Sequence, residues 1–167
     1  KSESDTVFYE SFDLCTGTGG NDNIWNGTGV ATKILVPDNE GWDYYSAYGA
    51  DKCGKFGSGS VDGTATTPSF TLDGDAVLSF KVAPWGTSDG KTVDVYLNNA
   101  LLDCYTMTSG QWTEYTIPIS GNGLSTIMFI TDERFFLDEV LIKKATTAGI
   151  SNVVSEKENV NNGRIYS

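Results

Sequence analysis

Three carboxylates lie inside apolar segments that are typical of β-strands, where acidic side chains are seldom found. Glu10 stands in the middle of FYESFD, and Asp138 and Glu139 interrupt the apolar run RFFLDEVLIK. Side chains alternate between the two faces of a strand, so we expect Glu10 to share a face with the neighbouring phenylalanines and Asp138 to share one with Phe136, Val140 and Ile142. An isolated buried carboxylate is too costly to stay ionised, so each acid needs a cation, a proton or a metal ion.

The composition favours a hard cation as that partner. The chain contains no histidine, the commonest transition-metal ligand, whereas calcium accepts roughly six to eight oxygens from carboxylates, amides and backbone carbonyls. The first and last strands of closed antiparallel sandwiches commonly pair, which would bring Glu10 and Asp138 together as ligands of one Ca²⁺. Asp13, just after the first strand, and Asp51, in the loop YGADKCGKFG, are further candidate ligands.

The same acids also have interpretations without a metal. Glu10 could form a salt bridge with Lys55 or Arg134, and Asp138 could lie at an exposed strand edge. The sequence leaves these alternatives open beside the calcium site.

Aromatic residues in polar loops form a second unusual feature. The stretch GWDYYSAYG contains Trp42, Tyr44, Tyr45 and Tyr48, and Trp25 lies in the equally polar NDNIWNGTG. Tyrosine and tryptophan rings can stack on the faces of sugars, and nearby amides and hydroxyls can bind sugar hydroxyls. These five residues are the candidate ligand-binding set, and the alternative is that some of them cap the core.

Charge and composition exclude several classes of function. The net charge of −11 disfavours binding to a phosphate backbone, and no apolar run is long enough to span a membrane. The absence of histidine excludes Ser/His/Asp and Cys/His catalysis. Cys15, Cys53 and Cys104 lack metal or dithiol spacing; a Cys15–Cys53 disulfide and three small apolar residues both remain open.

The element pattern predicts an all-β domain. Apolar residues do not recur at helical spacing, whereas β-branched and aromatic residues alternate between turn clusters. This pattern predicts a two-layer antiparallel β-sandwich, or jelly roll, over residues 1–144. The strands are expected at 7–12, 30–36, 67–72, 76–83, 92–98, 101–106, 112–119, 124–131 and 135–143. Residues 145–167 have few aromatics and weak periodicity, which indicates a linker or a C-terminal tail.

Six short motifs, in order, resemble one group of domains. They are FYESFD, the pair Gly41-Trp42, CGKFGSGS, GTATTPSFTL, AVLSFKVAPW and RFFLDEVLIKK. Together they are similar to the cleaved-adhesin and MAM-like jelly-roll domains of secreted Bacteroidetes proteins, over about residues 7–144. The chain departs from the group at Asp138-Glu139, where its members have two aspartates, and at Cys104, which has no counterpart role.

The resemblance implies a galactose-binding-like jelly roll that binds calcium near its first and last strands, with Glu10 and Asp138 at the positions of the acids. It also implies an adhesion or carbohydrate-binding module of a larger protein, secreted or on the outer cell surface, with a glycan or a host or cell-surface protein as partner. The tail resembles the start of a C-terminal sorting region.

Catalysis is the weaker alternative. A glycosidase needs two carboxylates about 5 to 10 Å apart, which 22 acidic residues supply by chance, but the sequence gives no reason for one acid to have a raised pKa beside a cleft. We therefore expect a non-catalytic, calcium-stabilised binding module. A spacer or protein–protein adhesion domain without a small ligand, and a glycoside hydrolase, are the alternatives.

Overall fold

The computed structural model describes residues 5–145, and the regular structure within them is β-strand. Residues 146–167 of the predicted tail lie outside the described residues. The ten strands are β1 (Thr6–Glu10), β2 (Ala47–Gly49), β3 (Gly54–Phe56), β4 (Gly63–Thr66), β5 (Phe70–Pro84), β6 (Thr92–Leu97), β7 (Ala100–Thr106), β8 (Thr113–Ser125), β9 (Ile127–Thr131) and β10 (Phe135–Lys144). Residues 5–145 contain no helix with the length and hydrophobicity needed to cross a bilayer.

The strands form two antiparallel sheets. One sheet has six strands in the order β2-β3-β10-β5-β8, with β1 also paired to β10, and the other has four in the order β4-β9-β6-β7. The main hydrophobic core lies between the sheets, where the rings of Phe80 on β5 and Phe129 on β9 pack edge to face with centroids 5.1 Å apart. The predicted two-layer antiparallel β-sandwich is therefore confirmed.

The first and last strands pair as predicted, but β1 covers only part of β10. On one side of β10, β3 pairs with residues 135–137, and β1 pairs with the stretch from Val140 to Lys143. β5 runs along the other side. The position between β3 and β1 belongs to Asp138 and Glu139, so both acids lie where β10 changes its neighbour.

A β-bulge at this position changes which side chains face the core. Asp138 is opposite Lys81, whereas Leu141 is opposite Ser79, so β10 holds one residue more than β5 here. Glu139 takes up the extra residue with a φ of 52°. The expectation that Asp138 shares a face with Val140 and Ile142 is therefore wrong. The bulge returns those two residues to the main core and leaves Asp138 on the outer face of the six-stranded sheet.

Several strands differ from the sequence prediction. Residues 30–36 form a loop that makes a single bridge, Lys33 to Gly49, while the short strands β2, β3 and β4 were not predicted. The predicted segments 67–72 and 76–83 merge into one strand, β5, which begins only at Phe70. Asp73-Gly74, a typical turn pair, continues that strand because the partner β8 extends just as far and pairs with it.

A second, smaller core covers part of the outer face of the six-stranded sheet. It contains Phe136 and Ala83 from the sheet and Val30 from the long loop between β1 and β2. Half-buried Trp25, Trp85 and Trp112 pack against it; the ring centroids of Trp25 and Phe136 are 5.8 Å apart. Loop residues therefore cover part of this face.

Candidate functional site

Glu10 is fully buried and is held by N–H groups alone. Oε1 accepts hydrogen bonds from the backbone and side-chain amides of Asn39 and from the indole of Trp42, each at 3.0 Å. Oε2 accepts from the backbone amides of Phe12, at 3.0 Å, and Asp38, at 2.6 Å. Five donors on one carboxylate stabilise its negative charge without a cation. This glutamate therefore fastens the loop at residues 38–42 to the end of β1.

Glu10 and Asp138 do not share a site. Glu10 points into the main core, together with Phe8 and Phe12, and Asp138 points to the opposite side of the same sheet. The expectation that one ion bridges these two acids is contradicted by this arrangement. The alternative salt bridge from Glu10 to Lys55 or Arg134 is also absent among the residues described, since N–H groups surround the carboxylate.

Asp138 lies in an arrangement of oxygens from three chain segments. Its Oδ2 and the backbone carbonyls of Asp51 and Lys52 all accept from one atom, Nδ2 of Asn21, at 3.1, 2.9 and 3.3 Å. The second carboxylate oxygen accepts from the Glu139 amide at 3.0 Å. Two hydrogens on Nδ2 cannot fully satisfy three acceptors. Burial accordingly raises the pKa of Asp138 to about 7.

The arrangement opens into a groove of about 380 Å³ on the outer face of the six-stranded sheet. Asp13, exposed at the surface, lies on the groove wall with Asp138 and Glu139, while Lys52 and Lys81 supply positive charge. Asp51 takes part through its backbone carbonyl instead of its side chain. No group of three or more Asp, Glu, Cys or His side chains within 5–145 could hold a metal, so a cation here would depend on carbonyl and amide oxygens.

A tyrosine also connects β1 to the bulge. The hydroxyl of Tyr9 donates to Oε1 of Glu139 at 2.7 Å. This hydrogen bond, followed by burial, raises the pKa of Tyr9. The bond holds the extra residue of the bulge against the neighbouring strand.

Two of the five candidate sugar-binding aromatics are structural. Trp42 is 9% exposed within the main core, and its indole N–H is committed to Glu10, so its assignment to the ligand surface is wrong. Trp25 is half-buried, and its ring packs edge to face on Trp112 and Phe136. The apolar faces of both tryptophans are therefore used largely for packing.

The three tyrosines remain exposed, although not as one flat platform. Tyr45 is 83% exposed, Tyr48 45% and Tyr44 40%. Tyr44 packs edge to face on the core residue Phe56, whereas Tyr48 belongs to the edge strand β2 and is opposite Lys55. Tyr45 and Tyr48 are thus the predicted ligand residues with the most available ring surface.

The sequence analysis considered Lys55 and Arg134 only as partners of Glu10, whereas the structure places both of them beside aromatic rings. Lys55 is only 8% exposed, and its ammonium lies 5.4 Å from the centroid of the Tyr48 ring. Arg134 is bound by Asp89 through both side-chain oxygens and lies 4.1 Å from the Trp85 ring centroid. In the sequence CGKFG, Lys55 is flanked by apolar residues. This pattern could have predicted that Lys55 lies in a buried strand.

The cysteines remain unpaired. Cys15 belongs to the main core and Cys53 to the outer-face core, while Cys104 is exposed. Because the first two lie in cores on opposite sides of the six-stranded sheet, the Cys15–Cys53 disulfide is not formed.

Comparison with known proteins gives similarity of fold. No protein-family model and no curated protein sequence matches this chain. Among solved structures, the K3 cleaved adhesin domain of Lys-gingipain from Porphyromonas gingivalis superposes with a TM-score of 0.50 at 17% identity, over 83% of this chain and 99% of that domain.

Carbohydrate-binding modules are also among the similar structures. The CBM36-1 domain of a xylanase from the hindgut metagenome of Trinervitermes trinervoides has a TM-score of 0.49 and 14% identity, over 84% of this chain and 98% of that one. A CBM35 from Paenibacillus barcinonensis has a TM-score of 0.43 and 17% identity, over 61% and 84%. The predicted resemblance is confirmed at the level of fold: this chain has a jelly-roll sandwich like that of the cleaved adhesin domain.

Proposed function

We propose that this chain is a non-catalytic, extracellular binding module that recognises glycans at the edge formed by β2, as part of a larger surface protein. The observation that carries the proposal is the exposure of Tyr45 and Tyr48, at 83% and 45%, beside a sheet edge. Exposed aromatic rings on a rigid edge suit stacking on sugar faces. Similar folds in an adhesin domain and in carbohydrate-binding modules agree with such a role.

The test is a glycan array probed with the purified chain and its variants. Removing one stacking ring, by Tyr45→Ala or Tyr48→Ala, should weaken array hits about 10-fold. Leu124→Ala is the matched control, because Leu124 is 75% exposed on β8, at the opposite edge of the sheet. Hits that persist in both tyrosine variants would refute this surface, and an array without hits would favour the protein-binding or spacer alternative.

Calcium is the cofactor in this proposal, held by Asp138 and not by Glu10. The residues suited to it are Asp138, the carbonyls of Asp51 and Lys52, and the Asn21 amide, which after a half-turn would offer an oxygen in place of its nitrogen. Oxygens from separate segments converge on one point here, and this feature supports the binding of a hard cation. Bound calcium would offset the charge of the buried carboxylate and join the loops of residues 21 and 51–52 to β10.

Direct titration tests the cofactor. Chelator-treated protein should bind Ca²⁺ in calorimetry, and Asp138→Asn should abolish the heat of binding. Asp13→Asn, which removes an exposed acid from the same groove, serves as the control for loss of charge. Equal binding by the wild type and Asp138→Asn would exclude this assignment.

A further inference from the structure

The side chain of Lys55 is largely buried at a sheet edge. The residue is 8% exposed, no oxygen within residues 5–145 accepts a hydrogen bond from its Nζ, and the ammonium lies 5.4 Å from the centroid of the Tyr48 ring. A lysine can bury its aliphatic stem while its ammonium keeps contact with water. Within residues 5–145 this ammonium therefore has no carboxylate bound to it, and an oxyanion from outside could pair with it.

Asp89, the acid that interacts electrostatically with Lys55, is already paired with Arg134. Asp89 accepts from Nε of Arg134 at 2.7 Å, from Nη2 at 3.0 Å and from the Arg134 backbone amide at 2.9 Å. These hydrogen bonds from Arg134 use both oxygens of the Asp89 carboxylate. The charge of Asp89 is thus matched by Arg134, and the charge of Lys55 remains in excess at this end of the outer face.

The ionisation of Lys55 reflects this environment. Burial lowers its pKa, and repulsion from Arg134 lowers it further, while Asp89 partly compensates. An anion bound near Nζ would oppose these effects and favour the charged form.

The ammonium is within reach of a ligand. Among residues 5–145, two buried side-chain nitrogens have no hydrogen-bond partner, the indole nitrogens of Trp85 and Trp112. Lys55 Nζ also has no such partner, but it is not one of these buried atoms. The ammonium therefore keeps contact with solvent. Tyr48, 45% exposed, lies directly across the strand pair from Lys55. Because Nζ lies over this ring, 5.4 Å from its centroid, a sugar that packs against the exposed edge of Tyr48 would bring its substituents close to the ammonium.

We propose that the Tyr48–Lys55 corner selects sugars that bear an oxyanion, a carboxylate or a sulfate, over neutral sugars. The proposal rests on the glycan-binding function above and specifies its ligand class. The net charge of −11 does not prevent it, because salt screens repulsion beyond about 8 Å at physiological ionic strength. A contact with a partly buried ammonium is screened much less.

The experiment compares matched acidic and neutral glycans. An array carries uronic acid oligosaccharides beside their methyl esters, and sulfated oligosaccharides beside unsulfated ones, and it is probed with the wild type, Lys55→Met and Lys143→Met. Lys143 is an exposed lysine near the far end of β10, so its replacement matches the change in net charge. The two acidic sets distinguish a carboxylate from a sulfate ligand.

We expect acidic hits that weaken about 10-fold or more on esterification or in Lys55→Met, since a charge-assisted hydrogen bond is lost. Lys143→Met should stay within about 2-fold of the wild type. Neutral glycans that bind as well as acidic ones, or acidic hits unaffected by Lys55→Met, would overturn this inference and leave glycan binding intact. An array without any hit would overturn both proposals.

A folding defect does not obscure the result. Lys55→Met removes an uncompensated charge and should melt no lower than the wild type; Lys55→Gln is the second variant. If neither folds, the comparison of each acid with its ester on the wild type decides the question.

Discussion

The carboxylate of Glu10 offers the sharpest test of the structural reasoning. In Glu10→Gln one acceptor oxygen becomes an NH₂ group, so at least two of the five N–H donors that converge there lose their acceptor. A buried donor without a partner costs about 1 to 3 kcal/mol, which gives a loss of about 4 kcal/mol in the free energy of unfolding. For a domain of this size that is a fall of about 12 °C in Tm.

The assay is thermal unfolding followed by circular dichroism, in excess calcium and in chelator. Because N–H groups and not a metal ion stabilise Glu10, the fall should be the same in both buffers. Glu40→Gln is the matched control: Glu40 is exposed in the same loop, and its replacement should change stability by less than about 0.5 kcal/mol. A Glu10→Gln variant that loses stability only in calcium would refute this reasoning and restore Glu10 as a metal ligand.

Four further predictions follow from the same contacts. Calcium at 100 times its Kd should stabilise the wild type by about 2.7 kcal/mol, and Asp138→Asn should lose that increment while unfolding no earlier than the wild type in chelator. Trp42→Phe removes one donor to Glu10 and should cost about 1 to 2 kcal/mol in chemical denaturation; an unchanged midpoint would contradict the indole bond. The pKa of Lys55 is lowered in the folded state, so the unfolded chain binds more protons and the free energy of unfolding rises with pH. Lys55→Met should therefore have a higher free energy of unfolding than the wild type at pH 7. This difference should shrink as the pH approaches the ordinary lysine pKa of 10.5. A panel of polysaccharides should yield no new reducing ends, and turnover that Asp138→Asn abolishes would overturn the non-catalytic assignment.

The anion proposal changes how the charge of the chain is interpreted. A strongly acidic protein is expected to attract cations, and the calcium site proposed at Asp138 is a prediction of that kind. The corner at Tyr48 has the opposite local character, because Lys55 forms no ion pair within residues 5–145 and Asp89 is neutralised by Arg134. Net charge therefore describes long-range steering, whereas recognition at contact depends on which charges remain unpaired.

Strand pairing explains why element boundaries were less predictable than the fold class. Alternation of β-branched and aromatic residues was sufficient for a sandwich, and the pairing of the first and last strands was foreseen and found. Asp73-Gly74 forms no turn because β8 supplies partners along the whole of β5. Such partners come from distant parts of the chain, so a local window cannot detect them.

For the candidate site too, some features could be predicted from the sequence and others depended on contacts between distant segments. The sequence by itself determined that acids interrupt the strands bearing Glu10 and Asp138 and that aromatics crowd residues 42–48, whereas calcium stays a prediction. Only the tertiary structure decided that Glu10 is enclosed by amides while Asp138 lies with backbone carbonyls, and that Trp42 is core while Tyr48 remains open. The physical reason is that one extra residue at the bulge returns Val140 and Ile142 to the core while Asp138 stays on the outer face, and that loops remote in sequence supply the donors around each carboxylate.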